Sequence, residues 1–457
     1  MAIATINPTT GATEREFTPH GADEIERRIA LADAAARKLR ATSYDQRAAW
    51  MLAAADALEA DTDSLARIIT VEMGKPIAQS RGEVLKCVKN MRFYAERAEE
   101  FLADEPLAEP SAVGASRAWS RYEPLGVVLA VMPWNYPLWQ VIRFAAPALM
   151  AGNTGLLKHA SNVPQSALYL DELFVRGGFP EGSFTALLIG SAAVADVLAD
   201  PRVKAVTLTG SEPAGRSVAE TAGRHIKKAV LELGGSDPFI VMPSADVEQA
   251  AATAVTARVN NNGQSCIAGK RFIVHADAYD QFIAAFTSKM TALTVGDPLD
   301  ESVQIGPLAT RAGRDEMAEL VDDATAKGAT AYVGAAGGDA GWFYPPTVLE
   351  NVTPEMRLFR EEAFGPVASV YRVAHAAEAL ELANSTTFGL SSSVWTADPA
   401  EEQLFVSALD AGAVFINGKT VSYPELPFGG IKDSGYGREL AAAGIREFCN
   451  LKTVWKA

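Results

Sequence analysis

Cys266 stands in "NNNGQSCIAGK", residues 260–270, among asparagine, glycine and serine that give it neither an apolar frame nor a second cysteine. A lone cysteine ordinarily serves as a small buried hydrophobe. Here Gly263 allows a ligand to approach the backbone closely, a setting that suits a thiolate nucleophile. A nucleophile needs a base, donors for the oxyanion it creates and an acceptor for what leaves. Histidine, the usual base for cysteine, occurs as His20, His159, His225, His275 and His375, none of them in a glycine-rich or polar turn. This disfavours a cysteine–histidine hydrolase. Glu232 in "LELGGSDP" is the alternative base. Its leucine flanks would raise its pKa toward the range in which it accepts a proton from water, although strand-end carboxylates are more often solvated or salt-bridged. Asn135 in "VMPWNYP" follows a strand, where its amide can donate to an oxyanion beside the Cys266 backbone N–H; as a helix N-cap it would need no further role. "TLTGSEPAG" supplies Gly210, Ser211 and Gly215 between a strand and a helix. That is a glycine turn able to hold a dinucleotide, weaker than G-x-G-x-x-G, which does not occur.

The elements that must carry these groups follow from periodicity. From about Gly21 to Asp104 apolar residues recur three and four apart, a helical block. "ASRAWSRYEPLGVVLAVMPWN" reads as an excursion of strands and then a buried strand from Gly126 to Met132. Strand-like "NTGLLKH", "FTALLIG", "KAVTLTG" and "KAVLELG" then alternate with helical "VPQSALYLDELFVRGG" and "EPAGRSVAETAG", and a second series runs through "DPFIVM", "KRFIVHA", "GPVASVY", "LSSSVWT" and "AGAVFING". Two α/β domains with parallel sheets are expected, joined near Gly234–Gly235. The last residues, "EFCNLKTVWKA", read as a strand that must pair, across subunits as one solution. The net charge of −15 disfavours nucleic acid and anionic membrane as partners, and no apolar run is long enough to span a bilayer. Three cysteines make no disulfide framework and fit a reducing, cytoplasmic compartment; Cys87 and Cys449 are read as structural.

Taken together, "PWNYP", "LTGSEPAG", "LELGG", "NNGQSC", "EEAFGPV" and "LPFGGIKDSGYGRE" resemble the aldehyde dehydrogenase superfamily, in its order and along the whole chain. Through "LLKHAS", "NNGQSCIA", "INGKTVSYPELPFGG" and "REFCN" the chain also resembles that family's short bacterial NADP-dependent succinate-semialdehyde dehydrogenases. The resemblance implies an α/β fold: a Rossmann-type cofactor domain (1–105 and 125–234, with 433–446 returning to it), an α/β catalytic domain (235–432), and oligomerisation strands (106–124 and 447–457) that bridge subunits of a homodimer or homotetramer. It implies a thiohemiacetal on Cys266, an oxyanion held by Asn135 and a backbone N–H, and a thioester opened by water that Glu232 activates. Trp134, Asn135, Gly210, Ser211, Leu233, Glu362 and Phe364 would contact the cofactor, and no metal is implied. Ile267 and Ala268 follow the nucleophile where many members carry a second cysteine, so an adjacent disulfide is not expected.

NADP is expected as cofactor, with NAD weaker. Lys158 and Ser161 stand where NAD-using relatives often carry a glutamate, and they can meet a 2′-phosphate; alternatively Ser161 caps the helix of "NVPQSALYL". Trp139 and Arg143 are spaced i, i+4 in an apolar helical run. A structural salt bridge would account for Arg143. The resemblance favours capture of a distal carboxylate, as in succinate semialdehyde, with Ser265 and Ser422 as helpers and Trp139 and Phe428 as walls. The alternatives are a broader NAD(P) aldehyde dehydrogenase acting on other small aldehydes, an acylating enzyme that Glu232 argues against, and a silent binding protein that the intact triad of groups argues against.

Overall fold

The computed structural model describes residues 2–338 and 340–457. A hairpin of Ile3–Ile6 with Thr13–Phe17 precedes four helices, α1 (Ala22–Leu39), α2 (Tyr44–Ala60), α3 (Thr62–Met73) and α4 (Ile77–Phe101). Gly74 ends α3 at φ +79°, and a Cβ there would lie 2.3 Å from the Pro307 carbonyl oxygen. Only glycine permits this closure of the helical block on the second half of the chain.

The first sheet contains β1 (Val127–Met132), β2 (Thr154–His159), β3 (Phe184–Ala186), β4 (Val203–Thr209) and β5 (Lys228–Glu232), parallel and in the order β5-β4-β1-β2-β3. Gly435–Tyr436 adds to β5 antiparallel. Helices α5 (Trp139–Ala151), α6 (Pro164–Arg176) and α7 (Glu212–Arg224) cross between strands. The strand β1, "VVLAVM", is almost wholly buried, as a central parallel strand covered on both faces must be. Because β2 and β4 flank β1, strand order reverses there, and the loops after β1 and β4 bound the crevice in which open α/β sheets take ligands. Those loops carry Trp134–Asn135 and Gly210–Ser211.

The second sheet contains β6 (Asp237–Val241), β7 (Gly269–His275), β8 (Thr330–Val333), β9 (Thr347–Glu350), β10 (Val367–Val373), β11 (Ser392–Trp395) and β12 (Val414–Ile416), in the order β8-β9-β10-β7-β6-β11-β12. All pairs are parallel except β8 with β9. Only Leu233–Ser236 separates β5 from β6, so the carboxyl edge of the first sheet adjoins the amino edge of the second. Helix α8 (Val247–Val259) then leads into the Cys266 loop.

A third sheet pairs Arg117–Pro124 with Cys449–Lys456 over eight antiparallel positions, with Glu105–Pro106 on the other edge. The terminal strand, for which pairing across subunits was one expectation, thus finds its partner within its own chain. The hairpin strands, β8 and β9 were not foreseen; β8 is a largely exposed edge strand without the apolar alternation that marks a buried one. Among the described residues no helix is long and apolar enough to cross a membrane.

Candidate active site

After α8 the chain turns through Asn261 (φ 58°) and Asn262 (φ 57°), left-handed conformations that asparagine tolerates better than most residues. The Asn262 amide donates to the carbonyls of Gly74 (2.8 Å) and Pro307 (3.0 Å), and its oxygen accepts from the Gly306 N–H (2.9 Å). Gln264 Oε1 accepts from the Ala309 N–H (2.9 Å). The asparagine run is therefore a brace that ties the loop to the helical block and to residues 306–309. Cys266, which it positions, borders both a cavity of about 280 Å³ and a cleft of about 630 Å³. Burial pushes its thiol up to about 12, against the smaller opposing pull of Arg143 and Lys270. Lys270 Nζ donates to the carbonyls of Ser265 (2.9 Å) and Cys266 (2.8 Å) and pairs with Glu362 (2.9 Å).

Asn135 does not cap a helix: α5 begins at Trp139, with Leu138 in the cap position. Its Nδ2 donates to the Gln264 carbonyl (3.1 Å), and its own carbonyl accepts from Asn261 Nδ2 (2.7 Å), which holds the amide against the cysteine loop. Glu232, the last residue of β5, is 2% exposed, and neither carboxylate oxygen has a hydrogen-bond partner. Burial first and Glu439 second raise its pKa well above the ordinary carboxylate range. It lines neither the cavity nor the cleft. Its carboxyl packs where a Cβ on Gly429 would come within 2.8 Å of Oε1. A water-activating base facing Cys266 was expected; in this conformation the acid is withdrawn into the protein.

Trp134, Asn135, Gly210, Ser211, Leu233, Glu362 and Phe364 all line the cleft. The Trp134 and Phe364 rings meet edge to face, centroids 5.7 Å apart at 85°. A Cβ on Gly234 would lie 2.3 Å from Glu212 Oε1 and 2.7 Å from Glu362 Oε2, so a larger residue there would displace both carboxylates that edge the cleft. Gly215 likewise lets α7 pack against Leu233, 2.7 Å from where a Cβ would sit. Lys158 and Ser161 lie apart from this group, at the carboxyl end of β2 beside β1. Helix α6 starts at Pro164 with Val163 at its cap, so Ser161 does not cap it. Lys158 is buried, and that burial lowers its pKa.

Trp139, Arg143, Ser265, Ser422 and Phe428 line the cavity. The Arg143 guanidinium lies 4.6 Å from the Phe428 ring centroid, and Nη2 donates to Thr209 Oγ1 at 3.4 Å. Its charge is paired with the buried Glu439. Arg143 therefore borders the cavity as an answered cation, and the structural salt bridge weighed against carboxylate binding is present. Glu439 closes the motif "LPFGGIKDSGYGRE", but nothing local to that stretch points to Arg143 as its partner.

The aldehyde dehydrogenase family model matches residues 1–454. The chain belongs to the aldehyde dehydrogenase family. It is 62% identical over 457 residues to the succinate-semialdehyde dehydrogenase [NADP(+)] of Mycobacterium avium (strain 104), covering all of this chain and 97% of that relative. It is 61% identical over 458 residues to succinate-semialdehyde dehydrogenase [NADP(+)] 1 of Mycobacterium tuberculosis (strain ATCC 25618 / H37Rv), with full coverage of both. The crystal structure of succinic semialdehyde dehydrogenase from Streptococcus pyogenes in complex with NADP+ superposes with a TM-score of 0.96 at 36% identity, over 99% of each chain. Within this family fold, sequence reasoning missed Lys270, Glu439 and the cavity residues Lys75, Glu83, Lys86 and Lys419. Lys75, Lys86 and Lys419 lie in segments whose local pattern reads as ordinary solvated helix or turn, and Lys270 opens a strand whose pattern does not single it out.

Proposed function

We propose that the chain oxidises succinate semialdehyde to succinate with NADP as acceptor, and that Cys266 carries the acyl group. The observation that carries this reading is the position of Cys266, shared by a small cavity and a larger cleft, in a chain 61–62% identical to the mycobacterial enzymes. Cys266 reacts as the thiolate, its proton passing to solvent: sulfur attacks the aldehyde carbon, a C–S bond forms and the carbonyl electrons move to oxygen, and return of those electrons would then expel the aldehyde hydrogen as hydride and leave a thioester on sulfur. Asn135 Nδ2 and the Cys266 backbone N–H donate to that oxyanion. When bound, NADP supplies the hydride acceptor. Water then adds to the thioester, Glu232 takes its proton, the C–S bond breaks and sulfur leaves as thiolate. The proton affinity that burial confers on Glu232 suits this step, which requires the carboxyl to swing from Glu439 toward Cys266.

Trp134, Gly210, Ser211, Leu233, Glu362 and Phe364 would hold the nicotinamide half, supported by the glycine floor and by the edge-to-face ring pair. Lys158 and Ser161 would meet the 2′-phosphate, supported by a buried cation and a serine not used as a cap. Residues 1–105, 125–234 and 433–446 form the cofactor domain and 235–432 the catalytic domain, a division supported by the two sheets. The strands in 106–124 and 447–457 are assigned to a homodimer or homotetramer; the exposed Leu451 and Trp455 support this. Three free cysteines support a cytoplasmic setting.

Formation of reduced cofactor, followed by its ultraviolet absorbance with NADP or NAD and with succinate semialdehyde or butanal, tests the reading. Succinate semialdehyde with NADP gives the highest kcat/KM. A preference for NAD, or for butanal, overturns it. Ser161→Glu shifts the NADP:NAD ratio of kcat/KM toward NAD by about tenfold or more, since a carboxylate repels the 2′-phosphate and loses the donor.

A further inference from the structure

Four cationic side chains line the cavity beside Cys266: Lys75, Lys86, Arg143 and Lys419. Acids answer two of them. Lys75 pairs with Glu83, whose Oε1 also accepts from the backbone N–H groups of Leu138 (2.8 Å) and Trp139 (3.0 Å). Arg143 pairs with Glu439. Among the described residues Lys86 and Lys419 have no carboxylate within ion-pair distance.

Lys86 differs from Lys419 in being aimed. It projects from α4, and its Nζ donates to Ser422 Oγ at 2.7 Å. The same hydroxyl accepts from Trp139 Nε1 at 3.1 Å, and Nζ lies 4.0 Å from the Trp139 ring centroid. A hydroxyl and a ring face fix the direction of the ammonium without neutralising it. Burial lowers its pKa to about 7, with Arg143 adding to the effect and Cys87 and Glu83, the latter already paired with Lys75, opposing it without overcoming it. A carboxylate entering the cavity would supply the missing charge and reach Ser422 as well.

Resting on the reading of the substrate as an aldehyde with a distal carboxylate, we propose that Lys86, aimed by Ser422 and Trp139, is the residue that selects that carboxylate. Arg143 stays committed to Glu439. The positive charge of Lys419 adds to the field of the cavity without a fixed direction.

Steady-state kinetics of the full chain with NADP, on succinate semialdehyde and on butanal, compare wild type with Lys86→Met and Lys86→Arg. In Lys86→Met the KM for succinate semialdehyde rises about ten- to a hundredfold more than that for butanal, and kcat moves less than KM. Lys86→Arg, which keeps the charge, recovers most of the loss. Succinate inhibition of butanal oxidation weakens in parallel in Lys86→Met. Equal changes for both aldehydes, or no change for either, overturn the proposal. Should Lys86→Met turn over neither aldehyde, thermal protection by succinate decides: protection equal to wild type overturns the proposal, and lost protection in a folded variant supports it. A wild type that shows no preference for succinate semialdehyde removes the substrate reading and Lys86 with it. A wild-type preference that survives Lys86→Met removes Lys86 alone.

Discussion

Two buried acids of this fold, Glu83 and Glu232, are held in opposite ways. Glu83 is met on every side: Lys75 pairs with one oxygen and two backbone N–H groups donate to the other. Glu232 is as buried, yet no hydrogen-bond donor reaches either oxygen, and its nearest charged neighbours include another acid, Glu439. A buried acid with a full set of partners holds elements together; here Glu83 joins α4 to the start of α5. A buried acid without partners is held in a costly state that the fold alone does not require. The same division separates Lys75 from Lys86.

The comparison breaks most easily at Glu83. Glu83→Gln leaves Lys75 charged, buried and without its counter-ion, and lowers stability by about 3–5 kcal/mol. Glu232→Gln, assayed in the same denaturant titration, keeps or raises stability, because it removes an unanswered carboxyl. A loss in Glu232→Gln as large as in Glu83→Gln would erase the distinction. The smaller effect concerns Lys86. In the free enzyme its pKa lies at about 7, below the ordinary lysine value, so the ammonium is present below that pH and is lost above it. The groups facing it are Glu83 and Cys87 on its own helix, Lys75 ahead of that helix, Arg143 from α5, and Lys419 across the cavity. Relative to butanal, the KM for succinate semialdehyde should rise as pH climbs through about 7 and then level off. In Lys86→Arg, whose charge does not titrate in this range, that relative rise should vanish.

Much of this was legible because the chemistry sits in short local signatures. "NNGQSC", "PWNYP" and "LELGG" place Cys266, Asn135 and Glu232 at the ends of strands or in turns, and apolar runs such as "VVLAVM" announce buried parallel strands. The partners of the charges were not legible, because they come from distant parts of the chain. Lys86 meets Ser422 across 336 residues, and Arg143 meets Glu439 from the far end of the sequence. An apolar helical run signals that an arginine within it needs an acid but does not say which. The withdrawal of Glu232 beside Glu439 was hidden for the same reason, since it depends on Gly435–Tyr436 returning to pair with β5.

In the proposed mechanism labour is divided: Cys266 and Asn135 make the thioester, and Glu232 acts only in opening it. Rapid mixing of Glu232→Gln with saturating succinate semialdehyde and NADP tests this most directly, with Cys266→Ser alongside. The account predicts a burst of one equivalent of reduced cofactor per active site in Glu232→Gln, followed by steady turnover about a hundred- to ten-thousandfold below wild type, and no burst in Cys266→Ser. A Glu232→Gln enzyme that lost its burst together with its turnover, or that turned over like wild type, would contradict it.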